Sequence, residues 1–249
     1  MPNVFAQSAV PIVKIPYLNI KGLQVYYNSN TKVNIAAGRC HDSTDIYDMV
    51  ANDIIVIDTA AVGLNGLDTG VLVADKVYAI YLISDTVSGN PTGAIASLDF
   101  TTPLMPFGYS AYRLIGFAVT DSAVHFLKMY TSGNANARKF TYDAPIATAV
   151  TAGASGTYAA VALAKFVPPM DQLPVMIQTK FTAAAAGSLL NMQGGNSTGD
   201  QVSIVGQITG LIDNANVVLA QLVSGLPVIN YKVSAGTVAI NVCGFDYYL

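Results

Sequence analysis

No glutamate and no tryptophan occur in this chain, and each of its 15 acidic residues is an aspartate. Only aspartates are therefore left to supply the paired carboxylates of a glycoside hydrolase, which argues against that class. Charge of either sign is scarce. Asp, Glu, Lys and Arg together make up 11% of the chain, against roughly 25% in an ordinary soluble domain. The 12 Lys and Arg are scattered singly and the net charge is −3, so there is no basic footprint for nucleic acid. Cysteine is limited to Cys40 and Cys243. They lie at opposite ends of the chain and pair only if the termini meet, so they read as two buried free thiols. With no C-x-x-C spacing, zinc and thioredoxin-type chemistry have no support. No apolar run approaches the roughly 18 residues of a membrane helix. The N-terminal stretch has no basic leader, and Pro11 and Pro16 interrupt it, so the expectation is a chain without a signal peptide that folds in the cytosol.

What is present is apolar. Hydrophobic residues make up 52%, and the mean hydropathy is +0.45. A free monomer uses charged groups to cover its surface and stay soluble. So little charge without a membrane span implies a surface closed by protein, against copies of itself or a larger assembly.

Short runs rich in Val, Ile, Tyr and Phe recur along the chain and predict strands. They include Leu23–Tyr27, Lys32–Ala36, Asp53–Asp58, Val77–Ser84, Ala94–Phe100, Tyr112–Thr120, Val124–Tyr130 and Arg138–Tyr142. Later runs are Tyr158–Phe166, Val175–Phe181, Gln201–Ile208, Val228–Val233 and Thr237–Phe245. Turn dipeptides such as Asn65-Gly66 and Asp121-Ser122 separate them. Tyr112–Thr120 and Val124–Tyr130 read as a hairpin across Asp121-Ser122. The best helical windows are Ser43–Val50, capped by Asp42 or Ser43, and Ala183–Asn191. The fold class is all-β: two β-sandwich, jelly-roll-like domains in tandem, preceded by an extended N-terminal arm. The expected boundaries are an arm over 1–21, a first domain over 22–134 and a second over 135–249. In the arm, prolines prevent ladder donation. Val10, Ile12, Val13, Ile15, Tyr17 and Leu18 are too apolar to remain solvated, so the arm is expected to lie along a neighbouring subunit.

The densest polar cluster is Gly38-Arg39-Cys40-His41-Asp42-Ser43-Thr44-Asp45-Ile46-Tyr47-Asp48. Cys40 and His41 are adjacent, so on a strand they point to opposite faces and form no nucleophile–base pair. Asp42, Asp45 and Asp48 are weak candidates to ligate a hard cation, although their spacing fits no calcium loop. The plainer reading is structural. Asp42 and Ser43 cap a turn, Arg39 pairs with a nearby Asp, and the polar network fixes one loop geometry. His125 reads as the outward residue of a strand. There is no P-loop, no G-x-G-x-x-G after a strand and no G-x-S-x-G, and nothing brings together a base, a nucleophile and an oxyanion site.

The stretch from Ile35 to about Tyr130 carries a series of motifs: Gly38-Arg39-Cys40-His41-Asp42-Ser43-Thr44, then Gly66-Leu67-Asp68-Thr69-Gly70, then Tyr112-Arg113-Leu114-Ile115-Gly116. This series resembles structural proteins of tailed-phage virions, the head-decoration, fibre and tail-associated β-sandwich proteins. The resemblance implies a non-enzymatic role with no cofactor. It also implies assembly in the host cytoplasm as a homo-oligomer, a trimer, that contacts major capsid or tail proteins and neither nucleic acid nor membrane. Gly38, Arg39, Asp42, Ser43 and Thr44 then form a structural loop, and no catalytic residue is carried over. Two alternatives lie beside this reading. One is a receptor- or glycan-binding module of a fibre, using Tyr-rich loops such as Pro106–Tyr112 or Asp246-Tyr247-Tyr248. The other is an outer-membrane barrel, for which the long alternating strands and aromatic girdles are missing.

Overall fold

The computed structural model describes residues 20–87, 91–134, 137–143, 147–206 and 210–249. The expected arm, with Val10, Ile12, Val13, Ile15, Tyr17 and Leu18, lies outside the described residues. The chain is all-β, as its alternating and β-branched runs predict, and no helix occurs among the described residues.

The first strands are β1 (Lys21–Gly22), β2 (Val25–Ser29), β3 (Lys32–Ile35), β4 (Gly38–His41), β5 (Asp48–Ala51) and β6 (Ile55–Asp58). Next come β7 (Gly66–Leu67), β8 (Val77–Ser84), β9 (Gly93–Ser97) and β10 (Ala111–Val119). The middle of the chain supplies β11 (Met129–Asn134), β12 (Ala137–Tyr142), β13 (Ala147–Gly153) and β14 (Ala159–Ala162). The last are β15 (Leu173–Ala183), β16 (Ser188–Gly194), β17 (Val202–Gly206), β18 (Gly210–Val223), β19 (Leu226–Val233) and β20 (Gly236–Tyr248). They form a small sheet β1-β4-β5, a four-stranded sheet β10-β8-β9-β7, and a 13-stranded antiparallel path β17-β16-β19-β18-β15-β20-β12-β11-β2-β3-β6 with β13 on β20 and β14 on β19.

Layering follows from the strand patterns. In β8, Tyr78, Ile80 and Leu82 enter the main core, whereas Ala79, Tyr81 and Ile83 enter a second, smaller one. Alternate residues of a strand point to opposite faces, so a strand buried on both faces reads as the continuous apolar run Val77–Ile83. The smaller core is closed by Phe100, Met105, Tyr109, Tyr112 and Leu114, mostly from the loop between β9 and β10. In β15, inward Leu173, Val175, Ile177, Thr179, Phe181 and Ala183 alternate with more exposed neighbours, the pattern of a strand with one covered face.

Ladder bonds run across the expected domain boundary at 134/135. β11 and β12 form a hairpin over it, β12 pairs along β20, and β11 meets β2 at Tyr130–Tyr26. Both helical windows are corrected. Ser43–Val50 is a turn leading into β5, and Ala183–Asn191 holds the end of β15, a turn and the start of β16. Leu189–Met192 pair with Val202–Val205, and Leu190–Gly194 with Ile229–Val233; these ladders override the local helix preference of alanine. The expected hairpin of Tyr112–Thr120 with Val124–Tyr130 shrinks to the single bridge Thr120–Phe126. Val124 takes a positive φ of 64°, and β11 pairs with β12 instead. His125 therefore sits in a turn, with its Nδ1 3.8 Å from Asp121.

Candidate functional site

Two features stand out: the polar loop between β4 and β5, and an apolar groove beside β9. The loop is built on Asp42. Its carboxylate is buried and accepts bonds from the Thr44 hydroxyl (2.6 Å) and the backbone N–H groups of Ile46 (2.9 Å) and Tyr47 (3.1 Å). The capping role expected of Asp42 is present, but the turn it organises returns β4 onto β5 and opens no helix. Ser43 N donates to the Tyr112 carbonyl, which ties the loop to β10. At the base, Gly22 and Gly38 stand opposite each other. A Cβ on Gly38 would lie 2.3 Å from the Lys21 carbonyl oxygen, so only glycine allows the strands to approach there.

The three aspartates go to three different partners. Asp42 turns into the loop. Asp45 faces Arg113 at 3.4 Å, and Asp48 lies across the β4–β5 pair from His41, Nε2 to Oδ1 3.2 Å. No group of three His, Cys or Asp side chains that could hold a metal ion occurs among the described residues. The arginine that serves this loop is Arg113, which also donates to the Asp42 carbonyl at 3.3 Å; Arg39 is exposed on β4. Cys40 is buried beneath the loop and Cys243 half-buried on β20, both free thiols. Burial pushes the Cys40 thiol up to about 12, so it is neutral and unreactive at ordinary pH.

Burial works to raise the Asp42 pKa, but the Thr44 hydroxyl and the N–H groups of Tyr47 and Ile46 outweigh it and hold the carboxyl below its usual value. Because the native pKa is the lower one, this carboxylate contributes stability above the unfolded value of about 3.9. That contribution is lost as pH falls through the native pKa. Asp42→Ala is expected to cost about 2–4 kcal/mol at pH 7, since charged acceptors are worth about 1.5–3 kcal/mol each and do not add fully. Urea titrations of both proteins between pH 7 and 3 should show the gap closing below about pH 4. A gap independent of pH would show that the lost side chain, and not its charge, matters.

The groove consists of two hollows joined at Leu98. One, about 270 Å³, has Val71, Leu98 and Leu104 as its apolar walls, with Asp68 and Asp99 at the rim. The other, about 230 Å³, is lined by Leu98, Phe100, Val167, Pro169, Leu226 and Pro227. Local structure forces Leu98 outward. Ser97 is buried and donates its hydroxyl to Asp68 Oδ2 at 2.6 Å, while Asp99 Oδ1 accepts from Thr101 and Thr102 N–H groups at 2.8 and 3.0 Å. With both neighbours anchored, Leu98 faces outward and stays 44% exposed. Asp68 also accepts from Leu104 N at 3.2 Å, which holds the facing wall. Leu226 follows the tight turn Ser224-Gly225, whose φ values of 52° and 80° suit a two-residue hairpin. Next to the lining residues Lys76 and Ala164, Lys165 and Asp75 form an ion pair at 2.8 Å.

On the groove walls Val71 is 75% and Leu104 63% exposed, and beyond them Phe107 stands wholly in solvent at the tip of the Pro106–Tyr109 turn. The groove is not legible in the sequence because its walls come from separate segments, 68–104, 164–169 and 226–227.

No protein-family model matches this chain, and no curated protein matches it. Among solved structures it is similar to the carbohydrate-binding module CBM6cm-2 of Cellvibrio mixtus lichenase 5A, solved in complex with cellotriose. The identity is 12% over 49% of this chain and 87% of that one, with a TM-score of 0.23.

Proposed function

We propose that this chain is a non-enzymatic structural protein of a virion, decorating or cementing a capsid surface or forming part of a head or tail fibre. It would act as a homo-oligomer, a trimer, against other virion proteins. The observation that carries the structural role is the apolar groove through Leu98, with Val71, Leu104 and Leu226 exposed along it. Large contiguous apolar patches on a soluble chain mark surfaces that meet protein. The virion setting rests on the motif series from Gly38 to Gly116.

The main chain on both sides of Leu98 and at Leu104 is tied to Asp68 and Asp99, so little backbone freedom is lost when a partner covers them. Full burial of a leucine is worth about 1.5–3 kcal/mol. Leu98→Asp would place an uncompensated carboxylate there instead. The expected result is a dissociation constant raised about 100-fold, or about 2.8 kcal/mol at 1.4 kcal/mol per decade. Light scattering of the purified full chain over a concentration series checks this. A wild-type protein that is monomeric at every concentration would remove the assembly reading.

In favour of the glycan-binding alternative are the exposed rings of Tyr248, which ends β20 beside the buried Tyr247 and is not in a loop, and of Phe107. The neighbouring tyrosines, however, are committed elsewhere. Tyr109 donates to the Pro91 carbonyl at 2.9 Å, and Tyr112 packs edge-on to Tyr81 with ring centroids 5.8 Å apart. A lone phenylalanine offers a stacking face but no hydrogen-bonding neighbour of its own type, so the loop fits a protein partner better than a sugar.

A further inference from the structure

One edge of β18 carries no ladder over most of its length. Residues 210–220 pair with residues 173–183 of β15 without a register shift, and β19 joins β18 only at residues 221–223. In an antiparallel strand, successive residues turn their N–H and C=O groups to opposite edges. Two bonds show which residues turn which way. The Asn214 carbonyl accepts from the Thr179 hydroxyl of β15 at 3.4 Å, so the even-numbered residues face β15. Leu219 N–H donates to Gln201 Oε1 at 2.8 Å, and Pro174 opposite it on β15 has no N–H to offer, so the odd-numbered residues face away. The N–H and C=O groups of Leu211, Asp213, Ala215 and Val217 therefore project from the sheet. No hydrogen bond to them occurs among the described residues.

Proteins blunt a long free edge with lysine, proline, a bulge or a very short strand. β18 uses none of these. Lys, Arg and Pro are absent from Gly210–Val223, and its ladder on β15 is unbroken. Gln201 caps the edge at Leu219 alone. The one charged side chain of the strand, Asp213, accepts from Gln178 Nε2 at 3.1 Å and is drawn back over β15. Leu211 and Val217 stand exposed on the outer face beside the open edge.

We infer that β18 pairs with β18 of a second copy of this chain, antiparallel across a two-fold axis at Asn214, so that one sheet runs through both copies. Main-chain donors and acceptors at strand spacing select an added strand, and this strand is complementary to itself. With the axis at Asn214, Leu211 of each copy stands opposite Val217 of the other, and these apolar pairs flank the axis. Asp213 then stands opposite Ala215, and all four outward residues of each copy are paired. An axis at Asp213 would set two aspartates against each other, which is unfavourable. An axis at Ala215 would set Asp213 against Val217, and Leu211 against Leu219, whose N–H is already bound to Gln201. A two-fold contact closes with two copies. It lies toward the end of β18 remote from the Ser224-Gly225 turn beside the groove, so it is a separate interface that joins one homo-oligomer to another.

Light scattering of the full chain tests the pairing. Wild type is expected to show twice the mass of Val217→Lys, which sets a charge beside the edge, and of Ala215→Pro, which removes an outward N–H and no bond to β15. Each substitution occurs twice in the pair, so the dissociation constant should rise about 100-fold. Leu98→Asp acts on the groove, and adding Val217→Lys to it should again halve the mass. Equal masses for wild type and Val217→Lys would overturn the pairing. So would a difference that vanishes when residues 1–19 are deleted, because that segment would then be the occupant of the edge. Amide exchange on the unsubstituted protein decides the matter even if a variant does not fold. At high concentration the amides of Leu211, Asp213, Ala215 and Val217 should be as protected as those of Ile212, Asn214 and Asn216, and should lose that protection on dilution. Protection of the even-numbered set alone at every concentration would overturn the pairing.

Discussion

Replacing Arg138 by alanine is expected to abolish stable folding. The guanidinium joins β12 to the Gly22–Leu23 corner and to β10, and its loss strands three buried carbonyls at once. Each orphaned buried acceptor costs about 1–3 kcal/mol, and the cavity adds to that. The sum reaches or exceeds about 5 kcal/mol, the lower end of total domain stability. Arg138→Met separates the terms. It fills the volume and removes the buried charge, but leaves the carbonyls without donors, so it should fall between wild type and alanine. Arg138→Lys keeps the charge but replaces a planar fork by a point donor, and about 2 kcal/mol of destabilisation is expected. Urea midpoints of the soluble variants and the soluble fraction of Arg138→Ala on expression check the order. An Arg138→Ala protein as stable as wild type would show that β1, β10 and β12 are joined by apolar packing alone.

None of this was legible in the sequence. The partners of Arg138 are main-chain carbonyls 23, 115 and 116 positions away, and a carbonyl has no residue-type signature. Arg113 was hidden in the same way, since its contact with Asp45 spans 68 positions. The strands were legible where burial imposes a pattern. Val77–Ile83 is apolar throughout because both faces of β8 are covered, and the Leu173–Ala183 alternation records the one covered face of β15. β18 was missed because Asp213-Asn214-Ala215-Asn216 has the composition of a turn. In fact it lies along β15, Asp213 opposite Lys180 and Asn216 opposite Ile177. The first eight residues of β18 are partly or fully exposed on both faces, so neither face imposes an apolar period. The Asp42 loop lies between these extremes. Its cap chemistry was readable from Asp42, Ser43 and Thr44, whereas its direction is set by the β4–β5 ladder and by Tyr112, which no local pattern announces.

Phe245→Ala is expected to be the most damaging apolar truncation, because this ring joins parts of the chain from both sides of position 135. It stacks on Phe140 of β12 at 4.7 Å with the planes 10° apart, and meets the edge of Phe117 of β10 at 5.8 Å. Phe117 in turn packs on Tyr247 at 5.0 Å, beside Arg138. The cross-strand neighbours of Phe245, Phe140 on one side and Val175 on the other, are fully buried and held by long ladders. The site cannot collapse easily, so the loss should be near the upper end of the 3–5 kcal/mol typical for Phe→Ala, with about 0.5–1.5 kcal/mol of it from ring–ring geometry. The shape of the melt carries further information. If residues 22–134 and 135–249 unfold as separate units, calorimetry of Phe245→Ala should show one transition lowered and the other nearly fixed. The shared ring contacts with Phe117, and the β12 ladder on β20 that continues the β11 hairpin, predict instead that the whole transition moves together. Phe117→Ala, made from the other side of the same contact, should then reproduce that shift. A double variant should lose less than the sum of the two single losses, because the rings share one interaction.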